Sequence, residues 1–130
     1  LSIEERNKID DSQFLFKCGR YVWVTKRANC ESIRLNDKNG MFAFGLASLG
    51  ERIVLLHDSM DKEFALDTFT HEVTHCVLFG FPDIFEETEG GGVSDEYLCE
   101  FVSGNIEDIW KIREDFKKSA FYKTFKDREI

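Results

Sequence analysis

Two histidines and a glutamate stand together in His71-Glu72-Val73-Thr74-His75. On a helix, residues four apart project from the same side about one turn apart, so both imidazoles can reach a single metal ion. Glu72, one position along, falls at the edge of that face. There a carboxylate can take a proton from a metal-bound water without being a ligand itself. A catalytic zinc ordinarily has three protein ligands and one open position. The one remaining histidine, His57, lies upstream, so no third histidine follows the motif. Glu96 and Glu100 lie 21 and 25 residues beyond His75 and are themselves four apart. One of them can bind metal while the other accepts a hydrogen bond from a ligand histidine. An isolated pair of this kind would read as the solvated face of an amphipathic helix. A neighbouring two-histidine helix short of a ligand favours the metal role instead. Cys99 is a further candidate ligand, less ordinary than a carboxylate beside two histidines in a hydrolase.

Such a site needs two amphipathic helices with their polar faces turned to a common space. The first is well bounded. Asp61 can cap it, the stretch to Phe79 lacks Gly and Pro, and Ala65, Phe69, Val73, Cys76 and Val77 recur at helical steps. Gly80 and Pro82 end it. The histidines lie away from the Phe69/Val73 stripe, as ligands rather than core residues should. After an acidic loop from Asp83 to Gly92, Ser94 can cap a second helix. Its expected apolar stripe is Tyr97, Leu98, Phe101, Val102, Ile106 and Ile109, with Glu96 and Glu100 off it. Phe116, Ala120, Phe121 and Phe125 suggest a third helix. Upstream, 14–25, 41–47 and 52–57 read as three strands, with turns at 36–40 and 48–50 and a short helix or frayed end over 1–10. Sheet first and helices afterwards is an α+β pattern.

The 130 residues, 42% apolar and with 13 phenylalanines, suit one domain built on one core. No apolar run is long enough to span a membrane. A net charge of −8 opposes nucleic-acid binding. The charge is uneven: nine carboxylates and no Lys or Arg occur from Asp83 to Trp110, and seven bases against four acids from Lys111 to Ile130. The basic tail reads as core-packing helix rather than as a docking site, because Phe116, Phe121 and Phe125 are interleaved with its charges. Cys18, Cys30, Cys76 and Cys99 contain no Cys-x-x-Cys pair and read as reduced thiols in a core, with a cytoplasmic setting expected.

His71-Glu-x-x-His75, an acidic loop and Glu96-x-x-x-Glu100 resemble the zincin metallopeptidases of the glutamate-ligand branch. The compact layout and the stretch Glu96-Tyr-Leu-Cys-Glu-Phe-Val102 are most similar to small zincin-like proteins of bacteria and their phages. The resemblance covers about residues 41 to 110 and implies a minimal zincin-like fold with one Zn²⁺ ion. It implies His71, His75 and Glu96 as ligands, Glu100 as their supporting or alternative partner, and Glu72 as general base toward a zinc-activated water. It further implies that the strand before the motif helix, Ile53 to His57, is a sheet edge where a protein or peptide substrate adds as an extended strand. Tyr97 and His57 are candidates for the oxyanion-stabilising role. The rival reading is a zincin-fold metal-binding protein with little turnover that uses its strand edge to hold a partner.

Overall fold

The computed structural model describes residues 1–29, 43–80 and 95–129. The expected turn at 36–40, the first residues of the strand at 41–47, Cys30, Pro82, the acidic loop 83–92 and the Ser94 cap lie outside them. The protein is α+β. The described strands are β1 (Phe14–Cys18), β2 (Tyr21–Ala28), β3 (Gly45–Ser48) and β4 (Ile53–His57), and the described helices are α1 (Ile3–Ile9), α2 (Lys62–Leu78), α3 (Asp95–Lys117) and α4 (Ala120–Lys123).

The single strand expected over 14–25 is instead a hairpin, β1 and β2, paired antiparallel with Phe16 opposite Trp23. The chain reverses at Gly19, whose φ of +64° suits a residue without a side chain. The sheet order is β1-β2-β4-β3, with β2 and β4 parallel and β3 and β4 antiparallel. Ile53–His57 is therefore an interior strand, and its assignment as a substrate-binding edge is corrected. The physical reason lies in its composition: Val54, Leu55, Leu56 and His57 are all buried, so both faces of β4 are covered, as in a central strand.

The two outer strands differ. On β1, the Asn7 side chain of α1 donates to the Leu15 carbonyl at 2.7 Å and accepts from the Leu15 N–H at 2.8 Å. That outer edge is thereby occupied. On β3, no described strand pairs with the side opposite β4.

Helix α2 begins where expected, with the Asp61 carboxylate accepting from the Phe64 N–H at 2.9 Å. Its face of Ala65, Phe69, Val73 and Cys76 is buried against the sheet. Phe69 stacks on Phe116 with ring centroids 4.0 Å apart and meets Phe14 and Phe16 edge-on. Phe116, Phe121 and Phe125 are buried, so the phenylalanines of the basic tail are indeed core residues.

Two expectations for the C-terminal half need correction. Phe116 is not in a third helix: α3 continues unbroken to Lys117, and α4 starts afresh after Ser119, whose hydroxyl accepts from the Tyr122 N–H. The stripe proposed for α3 also fails in part. Phe101 is buried, but Leu98, Val102 and Ile106 are about half exposed. The core-facing row is Phe101, Ile112 and Phe116, because the helix docks through its C-terminal half. Among the described residues no helix is long and apolar enough to cross a membrane.

Candidate metal centre

His71, Glu72 and His75 form the one group of three potential metal-binding side chains among the described residues, with donor atoms within 4.8 Å of one another. All three ride on α2, whose i, i+4 geometry sets the two imidazole Nε2 atoms 3.1 Å apart. Two nitrogens held about 2.0–2.1 Å from a tetrahedral ion stand about 3.3 Å apart, so the pair is spaced for a shared cation. Both histidines are exposed on the polar side of the helix. Partial desolvation of its ring beside the helix, aided by the charge of His71, lowers the pKa of His75 from its ordinary value, which favours the neutral imidazole that ligates metal.

Glu72 is placed differently. It is only 6% exposed, against the underside of β3. Burial pushes its carboxyl upward, with His71 opposing part of that shift. A carboxylate with raised proton affinity, fixed beside two imidazoles, is suited to receive a proton rather than to remain an inert counter-charge. Gly45 makes this packing possible. A Cβ there would stand 2.7 Å from Thr68 Cγ2, 3.1 Å from Glu72 Cγ and 3.2 Å from Glu72 Oε1. The glycine lets the strand backbone lie directly on the face of α2 that carries Thr68 and Glu72.

A shallow cleft opens beside the group, lined by Ala43, Phe44, Gly45, Phe64, Asp67, Thr68, His71 and Glu72. The rings of Phe44 and Phe64, both partly exposed, lie 4.7 Å apart and form its apolar wall. Sequence reasoning missed this wall, since nothing about two isolated phenylalanines marks them as surface residues. A signal for Gly45 did exist: glycine inside a strand pattern often marks a close backbone approach.

The other candidates lie elsewhere. Glu96 and Glu100 are exposed on the first turns of α3 and are not members of the three-residue group. Cys99, on the same turns, is an exposed free thiol rather than a core residue, in contrast to buried Cys76 and half-buried Cys18. Tyr97 is half-buried nearby. His57 is buried at the end of β4, where its Nδ1 lies 3.1 Å from the Ser59 N–H nitrogen and 2.7 Å from Ser59 Oγ. Because a backbone N–H can only donate, Nδ1 is the accepting nitrogen, and His57 is not a member of the His71–Glu72–His75 group.

Protein-family models, curated proteins and solved structures were all compared with the chain, and none matches it.

Proposed function

We propose that the protein is a zinc-dependent metallopeptidase that hydrolyses peptide bonds of a protein substrate. The observation that carries this reading is the placement of two imidazole nitrogens 3.1 Å apart beside a buried carboxylate on one helix, at the mouth of an open cleft. Two histidines and a carboxylate are a donor set to which zinc is well matched. In this reading His71 and His75 hold the ion, with Glu96 as the third protein ligand and Glu100 supporting it. The ion, when bound, supplies Lewis acidity toward water and toward the developing charge on the peptide oxygen.

The chain's own residues supply the rest. Glu72 takes the proton of the attacking water and returns it to the departing amine, a role helped by the upward shift that burial gives its carboxyl. Among the described strands nothing pairs with the outer side of β3, and its backbone N–H and C=O groups would receive an extended peptide there, so the strand-addition site moves from Ile53–His57 to Gly45–Ser48. Contact between Gly45 and Glu72 ties that edge to the proton-transfer group. Phe44 and Phe64 would receive an apolar substrate side chain next to the bond being cleaved.

Replacing Glu72 with Gln tests the reading. Zinc affinity should stay within about threefold, while peptide hydrolysis falls by about 10²-fold or more. Wild-type protein that binds no zinc would overturn it. Comparison of Glu96→Gln with Glu100→Gln for zinc affinity identifies the third ligand. A second reading, a metal-binding module that holds a partner at the β3 edge with little turnover, is favoured by the exposure of Glu96 and Glu100 away from the group. It predicts that Glu72→Gln leaves partner affinity unchanged and that wild-type protein cleaves nothing.

A further inference from the structure

A second hollow, bordered by the β1–β2 hairpin, α1, the end of α2 and the middle of α3, has a volume of about 1280 Å³. It shares no lining residue with the cleft beside His71. Drug-sized ligands occupy about 300–1,000 Å³, so the space is ample for a small molecule. Its floor is apolar. Phe16, Trp23 and Phe79 line it as nearly parallel rings, 6.3 and 6.2 Å apart centre to centre, and Val77 and Ile112 line it too.

The rim is charged, and its sign is opposite to that of the chain. Lys8, Lys17, Arg20, Arg52, Lys111 and Lys118 line the hollow against three acids, whereas the whole chain has 17 bases and 25 acids. Lys111 is paired, with Asp115 at 2.7 Å. The other five bases have no carboxylate partner among the described residues. Two of them converge. The guanidinium carbons of Arg20 and Arg52 lie 5.1 and 3.9 Å from the centre of the Tyr21 ring. Their hydrogen bonds to the Tyr21 hydroxyl, that of Arg52 foremost, lower the pKa of the phenol from its ordinary value. Arg52 holds this place from a backbone φ of +54°, the one positive φ outside glycine among the described residues. Two like charges at one ring repel each other, and a bound anion relieves that repulsion.

We propose that this hollow binds a single-chain amphipathic anion, with its carboxylate or phosphate head on Arg20 and Arg52 and its hydrocarbon chain on the aromatic floor. Arginine suits either head, because its planar fork gives two parallel hydrogen bonds to both. The floor alone would take any apolar body, and the bases alone any anion; their adjacency selects a ligand that is both. Tyr21 and Trp23 stand two apart on β2 and so face the same side of the sheet, which sets the head site next to the floor. The net charge of −8 repels polyanions and anionic membrane surfaces, which leaves a small ligand with one anionic head.

Calorimetric titration of the full chain with decanoate, decyl phosphate and decanol, all below micellar concentrations, tests this. The tighter-binding anion names the head group and should bind at least about tenfold more tightly than decanol. Acetate and inorganic phosphate, which lack the chain, should bind at least about 100-fold more weakly than their long-chain counterparts. Arg52→Gly, which suits the backbone at φ +54°, and Arg20→Gln should each weaken the anion about tenfold, with decanol binding and circular dichroism unchanged. Bound anion should slow alkylation of Cys18, which lines the hollow, and not that of exposed Cys99. No binding up to about 1 mM, decanol binding as tightly as the anions, variants that bind like wild type, or Cys18 alkylated at an unchanged rate each overturns the proposal. A hollow filled by a segment of the chain itself, or reserved for a protein partner, would give the first of these results.

Discussion

Gly45→Ala probes the contact on which the candidate site depends. The added methyl would meet Thr68 Cγ2 at 2.7 Å and the Glu72 side chain at 3.1–3.2 Å. Carbon atoms in contact normally stand about 3.5–4.0 Å apart, so β3 and α2 must separate by about 1 Å locally. Overpacking on this scale costs about 1–3 kcal/mol. Alanine also narrows the unfolded ensemble, which offsets about 0.4–1 kcal/mol of that cost. The net loss lies between about 0 and 2.6 kcal/mol, and its midpoint of about 1.3 kcal/mol corresponds to a fall in Tm of roughly 5 °C for a chain of this size. Thr68→Ser removes the methyl that is struck first, and a serine hydroxyl can keep the 3.4 Å contact of Oγ with the Met60 sulfur. The Gly45→Ala/Thr68→Ser pair should therefore recover more than half of the lost stability. If the protein is the peptidase proposed above, hydrolysis should remain depressed in the pair, because Glu72 is still displaced. Thermal unfolding of the four proteins in the cycle, with a peptidase assay alongside, gives both readouts. If Gly45→Ala unfolds at the wild-type temperature, or if Thr68→Ser recovers nothing, the close approach of β3 to Glu72 is wrong.

Three further outcomes follow from the same structure. On the proposed zinc site, His71→Ala and His75→Ala should each lower zinc affinity by about 100-fold or more, measured by competition with a chelating dye, since even groups that only support a ligand are worth about 10–100-fold. Asn7→Ala should cost about 2–3 kcal/mol in denaturant unfolding, because it removes both hydrogen bonds to the buried Leu15 backbone. A loss within error would show that water replaces the side chain at that edge. Thiol labelling should single out Cys99 over Cys18 and Cys76 in the native protein. Burial raises the Cys18 thiol, and raises that of Cys76 strongly, so both yield thiolate less readily than an ordinary thiol as pH rises. Mass mapping of the labelled sites at about pH 8 checks this, and fast labelling of Cys76 would contradict its burial.

Local patterns in the chain were enough to specify α2. A capping aspartate, an uninterrupted helical period and a terminal glycine are short-range signals, and the helix begins and ends as they indicate. The placement of His71 and His75 on one exposed side, with Glu72 at its margin, follows from the same 3.6-residue period. Strand order is a different kind of property. Ile53–His57 and Gly45–Ser48 are both apolar enough for a sheet, and only the pairing of β4 with β2 and β3 makes the first central and, among the described strands, the second an edge. The fate of α3 was likewise settled by docking. Its apolar residues spread over about half the circumference of the N-terminal half, wider than one packing face, and the period cannot tell which of them face the core. Packing against Phe69 draws in Phe116 at the far end of the helix and leaves Leu98, Val102 and Ile106 in solvent. What the sequence determined by itself was chemistry carried within one helix. What tertiary structure decided was which strand edge lies over that chemistry, because contacts between distant segments leave no mark in the spacing of either one.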